Sequence, residues 1–132
     1  MIKQIEAYQP YNEQEKRDKE IILSMLTEAE RMGEDILSRE NRMAHMTASA
    51  WVVNCERTKV LLAYHNIYDS WAWLGGHADG EGNLLSVAMR EVCEESGLTP
   101  AHVRPAWPIS QKGDSSQGSA GDIFSLEVLA VD

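Results

Sequence analysis

A chain of 132 residues, 43% of them hydrophobic, is long enough for one domain with a real core and too short to expect two. Its formal net charge of -9, from 21 acidic against 12 basic residues, excludes long nucleic acids as partners, because these need a basic footprint. A small anionic substrate stays open provided a metal ion bridges the like charges. No run approaches the ~20 apolar residues of a membrane span, and the opening MIKQIEAYQPYNEQEKRDKE has no apolar stretch for a secretory signal. Cys55 and Cys93 make neither a disulfide framework nor a four-ligand zinc site. A reducing, cytoplasmic setting is the expectation.

The first predicted element is an amphipathic helix over residues 13–32. Asn12 suits its N-cap with Glu15 as the capping-box partner. Ile21, Ile22, Met25, Leu26, Ala29 and Met32 recur at helical spacing, and Gly33 suits a left-handed stop. Two runs rich in β-branched and aromatic residues follow, MTASAWVVN (46–54) and KVLLAYH (59–65), and the polar link CERT makes them a predicted hairpin. The segment NIYDSWAWLGGHADGEGN reads as a connection into a second helix, capped by Asn83 and ended by Gly97.

On that helix, Leu84, Leu85, Ala88, Met89 and Val92 share one broad face, expected to pack on a sheet. Cys93 is expected on the packed side as a small core residue. Glu91 and Glu95 fall at the border of the face, with Glu94 beside them and Arg90 just beyond. Carboxylates near a helix C-terminus oppose the dipole, at a few tenths to about 1 kcal/mol each. Neighbours three or four apart repel by roughly 0.2–0.5 kcal/mol more. Converging carboxylates on rigid backbone suit a hard divalent cation, which would remove that repulsion.

Beyond the helix, VRPAWPI is a candidate short strand limited by Pro105 and Pro108. The Ser/Gly-rich SQKGDSSQGSAGD (110–122) is expected to be a loop, and IFSLEVLAVD alternates as a last strand. A strand ending at Asp132 lacks cover and offers its edge to a second copy of the chain, a route to a homodimer.

The run Arg90-Glu91-Val92-Cys93-Glu94-Glu95-Ser96-Gly97-Leu98, with Gly76 fourteen residues ahead of Arg90, resembles the signature of the Nudix hydrolases, G-x5-E-x7-R-E-U-x-E-E-x-G-U with U apolar. With each named residue occurring at ~5–7%, the nine-residue core arises by chance on the order of once in 10⁵ such chains. One position departs. The pattern asks for glutamate six residues after Gly76; this chain has Gly82, with Glu81 one place early.

The resemblance implies an α+β fold, a mixed β-sheet packed between helices as an α/β/α sandwich. The likeness covers residues 44–132, with 1–43 as an N-terminal helical extension, and the family's usual length implies a C-terminally incomplete domain. The implied activity is hydrolysis of a diphosphate bond in a nucleoside diphosphate linked to another group, so the partner is a small phosphorylated or nucleotide substrate. The implied cofactor is Mg²⁺, with Mn²⁺ as a substitute, held by Glu91, Glu95 and Glu94 with Glu81 auxiliary. Glu94 is the candidate base and Arg90 would hold a glutamate ligand in place. Gly75, Gly76 and His77 would contact the phosphates. Asp79 is a further auxiliary ligand, and Tyr68, Trp71 and Trp73 are candidates to stack on a base. An isomerase of the same superfamily is set aside because WAWLGGHADG lacks cysteine. The alternative is a catalytically impaired Nudix-like module that binds nucleotide or protein, favoured by Gly82.

Overall fold

The computed structural model describes residues 1–67, 69–106 and 123–129. Its chain divides into two compact units, Met1–Asp35 with Pro105–Asp132, and Ile36–Arg104.

The first unit is built on helix α2, Glu13–Met32, preceded by the short α1, Ile2–Ala7. At six residues, α1 is too brief to show a period in sequence. The Asn12 side chain accepts from the Glu15 amide, and Gly33 closes α2 at φ 71°. Lys19 Nζ donates to the carbonyls of Glu6 and Tyr8, which binds the end of α1 to α2. Of the predicted stripe, Ile22, Leu26 and Ala29 are buried with Ile5, Tyr8 and Leu126, while Ile21, Met25 and Met32 stay exposed.

Glu15 is also buried, and its carboxylate gathers donors. Oε2 accepts from Tyr8 Oη at 2.8 Å and from the Tyr11 amide at 2.6 Å, and Oε1 accepts from Ser125 Oγ at 2.9 Å. The Leu126 amide adds a fourth bond. Burial pushes this carboxyl up, but the four hydrogen bonds outweigh it and hold it below the ordinary glutamate value. A depressed folded pKa means the stabilisation is complete above the unfolded value, about 4.3, and is lost as pH falls through the folded one. Glu15→Gln is therefore expected to cost about 1–3 kcal/mol at neutral pH. That deficit should shrink as both proteins are acidified to about pH 3, read by urea midpoints.

Residues Ile123–Leu129 form no strand. A last strand was expected there, and among the described residues the segment has no ladder partner; its backbone and Ser125 turn to Glu15 instead. Residues 103–106 of the other expected short strand are also unpaired. The rest of that run, the 110–122 loop and residues 130–132 lie outside the described residues.

Among the described residues the second unit holds six short strands and one helix: β1 Thr47–Ala50, β2 Val52–Val53, β3 Val60–Leu61, β4 Ala63–His65, β5 Ser70–Ala72, β6 Leu74–His77 and α3 Leu84–Ser96. The hairpin between the first two runs forms only as β2 with β3, pairing Val53 with Val60 and Val52 with Leu61. Asn54 organises its turn, Oδ1 accepting from the amides of Thr58 and Lys59, both at 2.8 Å. The rest of each run pairs elsewhere: β4 with β5, and β1 with β6 in the register Thr47 to His77 through Ala50 to Leu74.

The segment read as a connection thus carries two strands: β5 is only three residues long, and β6 is hidden because glycine is a poor strand former. The α+β class holds. Of the mixed sheet expected within it, the described residues supply antiparallel pairs only; the short links of β2 to β3 and of β4 to β5 require this, whereas β1 and β6 are joined by a long segment.

Helix α3 packs on β1 and β6. Asn83 accepts from the Ser86 amide at its start, and Gly97 at φ 73° ends it. Its buried residues are Val87, Ala88 and Val92, whereas Leu85 is 37% exposed. The packed face is therefore rotated from the one predicted. At about 100° per residue its centre line runs through Leu84, Ala88, Glu91 and Glu95, and Cys93 lies opposite and half-buried rather than in the core. Carboxylates can occupy that line because β6 offers Gly75 and Gly76 beneath it.

Candidate active site

Strand β6 places Gly75 and Gly76 between the Leu74 side chain, 1% exposed, and His77. A Cβ on Gly75 would overlap Ser49, its partner on β1. A Cβ on Gly76 would stand 2.5 Å from Cδ and Oε2 of Glu91 and 2.9 Å from its Oε1. The Glu91 carboxylate thus lies directly on the Gly76 backbone, and only glycine permits that approach.

Arg90 holds Glu91 there. Its Nη2 donates to Glu91 Oε1 at 2.8 Å and to the His77 carbonyl at 2.9 Å, tying helix to strand through one guanidinium. The Glu91 side chain is 16% exposed and that of Arg90 is 38%. Hydrogen bonding to Glu91, and then the charges of Glu91, Glu94 and Asp79, raise the Arg90 pKa, so it stays cationic throughout. One turn on, Glu95 Oε2 accepts from the Gly75 amide at 2.9 Å. Two carboxylates of one helix face therefore converge on consecutive glycines of one strand.

His77 Nδ1 is buried and has no hydrogen-bond partner among the described residues. Its ring lies 4.9 Å from that of His45. Burial, then the charges of Arg39 and His45, lower its pKa against the opposing pull of Asp79 and Glu91. The imidazole is thus neutral at pH 7 and offers a lone pair or an N–H rather than a charge.

The other predicted residues fall elsewhere. Glu94 is exposed beside the pair. Glu81 sits at the opposite end of α3, its Oε1 accepting from the Asn83 amide at 2.6 Å. Gly82 has open space around it, with only Leu37 Cδ1 at 3.8 Å from a would-be Cβ. Asp79 is gripped by Arg39. Arg39 is 40 residues away in sequence and nothing local marks it; the same is true of Ser49. Trp73 pairs with Trp51 at 5.9 Å and Trp71 with Tyr64 at 5.3 Å, and Tyr68 lies outside the described residues. Among the described residues no three His, Cys, Asp or Glu side chains stand close enough to hold a metal ion.

No described helix is long and apolar enough to cross a membrane. No curated protein matches the chain. The NUDIX domain model matches residues 43–125, well over half of the sequence, and contains the whole glycine–glutamate arrangement. Strand β6, helix α3 and the Arg90 tie between them are thus the box of a Nudix domain, and the chain belongs to the Nudix hydrolase family.

Proposed function

We propose that the chain is a Mg²⁺-dependent hydrolase, with Mn²⁺ as a substitute, that cleaves a diphosphate bond in a nucleoside diphosphate linked to another group. The observation that carries this reading is the Glu91 carboxylate lying on Gly76 while Glu95 meets the Gly75 amide. Two carboxylates from one rigid face fit Mg²⁺, which takes one or two from the protein and completes its set with substrate phosphate oxygens and water. Glu91 and Glu95 would hold it, with Glu94 assisting and Glu81 as an auxiliary that must first leave the Asn83 amide. Bound there, the ion would offset phosphate charge and make a nearby water more acidic.

The chain's own groups do the rest. Arg90 keeps Glu91 in place, so the carboxylate is already ordered when substrate arrives. Gly75 and Gly76 present backbone without side chains, which lets a phosphate approach closely. Neutral His77 can donate a hydrogen bond to a phosphate oxygen. Glu94, exposed and without an ion pair among the described residues, accepts the proton as water oxygen bonds to phosphorus. The bridging P–O bond breaks, and its electron pair leaves with the second phosphate.

The test is product release from nucleoside diphosphate sugars, dinucleoside polyphosphates, ADP-ribose and nucleoside triphosphates, with and without Mg²⁺, beside Glu95→Gln. Turnover that needs Mg²⁺ and falls on the order of 10²-fold in the variant is expected. Silence on every substrate would favour a binding module, the reading that Gly82 and the engagement of Glu81 at Asn83 support. Residues 44–132 are taken as the catalytic domain and 1–43 as its extension, in a cytoplasmic protein. A second copy is the partner suggested by exposed Val128 and Leu129; light scattering that returns a one-chain mass at high concentration removes it.

A further inference from the structure

We propose that the Arg39–Asp79 ion pair is the positioning element of this site, holding the turn after His77 so that Arg90 keeps Glu91 on Gly76. The proposal rests on the metal reading above.

Arg39 grips Asp79 with two prongs, Nε to Oδ1 at 2.6 Å and Nη2 to Oδ2. The two side chains are 58% and 39% exposed, and such surface pairs ordinarily stabilise little. The backbone beneath makes this one different. Asp79 stands at φ 49°, in the left-handed region, and Gly80 follows at φ 86°, the sign pattern of a primed turn. A residue with a side chain adopts that conformation at a cost, although Asp bears it better than most.

The turn is laced to the segment that carries Arg39. The Gly80 amide donates to the Leu37 carbonyl at 3.1 Å, the Ala78 amide to Met46 at 3.0 Å, and Met46 in turn to Ile36 at 2.8 Å. Two residues before Asp79 comes His77, whose carbonyl accepts from Arg90 Nη2, the nitrogen that also holds Glu91. Displacing the turn would move that carbonyl and release the guanidinium. Charges alternate along the path, Arg39, Asp79, Arg90, Glu91, and each is electrostatically felt by its neighbours. Gly82, where the family pattern places a glutamate, contributes no carboxylate. Asp79, three residues earlier, supplies the anion at this end of the box.

Arg39→Gln and Asp79→Asn separate positioning from electrostatics. By charge alone, deleting Arg39 should raise cation affinity at Glu91, and deleting Asp79 should lower it. Positioning predicts a loss in both. Asparagine tolerates a positive φ, so Asp79→Asn can retain the turn. The measurement is Mn²⁺ binding by electron paramagnetic resonance titration of the full chain without substrate, beside thermal unfolding midpoints.

We expect about tenfold weaker binding in each variant, with the double variant no worse than either single one. Arg39→Gln that binds Mn²⁺ as well as or better than the unaltered chain overturns the proposal and leaves the metal reading intact. Losses that add in the double variant overturn it too. An unaltered chain that binds no Mn²⁺ overturns the metal reading, and this one with it. Should Asp79→Asn not fold, the sign of the change in exposed Arg39→Gln still decides.

Discussion

Glu91→Gln should cut kcat/KM by on the order of 10²–10³-fold and move the Mg²⁺ requirement to higher concentration. The substitution is nearly isosteric, so the glycine face beneath it stays filled. What changes is charge. Arg90 exchanges the anion it meets at 2.8 Å for a neutral amide and keeps the His77 carbonyl, and the site loses the carboxylate that lies on Gly76. Because Arg90 is 38% exposed, water can solvate it, and the loss of stability should stay near 1 kcal/mol. Activity and stability are therefore expected to separate widely. Steady-state kinetics over a Mg²⁺ series, beside a urea midpoint, provides the check. A variant retaining activity within about threefold, ~0.65 kcal/mol of barrier, would remove Glu91 from the mechanism.

The second large effect comes from a single methyl group. In Gly76→Ala the new Cβ falls 2.5 Å from two atoms of the Glu91 carboxyl group, far inside van der Waals contact. Strand β6 is held in register by β1, so the carboxylate must yield. A displacement of about 1 Å in a catalytic group can cost 10²-fold, and kcat/KM should fall by about that much. The fold should lose roughly 1–3 kcal/mol from overpacking.

Gly82→Ala is the control. Its Cβ would meet only Leu37 Cδ1 at 3.8 Å, so activity should stay near that of the unaltered chain. A Gly76→Ala chain that turns over normally would mean that Glu91 does not need its place on that backbone.

The local signals along the chain were legible because each acts within one element. Asn12 and Asn83 cap the helices they precede, each accepting from the amide three residues on. Gly33 and Gly97 end them in the left-handed conformation that favours glycine. The box residues could be picked out as a group because Arg90, Glu91, Glu94 and Glu95 fall within six residues of one helix. Strand pairing was a different matter. Residues 46–54 read as one strand, yet they serve two partners on either side of Trp51. Which partner a strand takes depends on what closes the sheet, information that lies outside the strand.

The helix face shows the boundary most clearly. Apolar residues alone centred it near Leu85 and Ala88, and put the glutamates at its border. Packing turned it so that Val87 is fully buried and Glu91 faces the strand. The cause sits on the other element, where two glycines leave room for carboxylates that larger side chains would have expelled. By itself, then, the sequence determined the ends of α2 and α3 and the family, and it marked the carboxylates as a group, all within short windows. Only the tertiary structure decided that Glu91 rests on Gly76, that Glu81 accepts from the Asn83 amide at the far end of α3 instead of joining the pair, and that Arg39 reaches across 40 residues to Asp79. Those outcomes depend on backbone brought together from distant parts of the chain, and no spacing in the sequence records it.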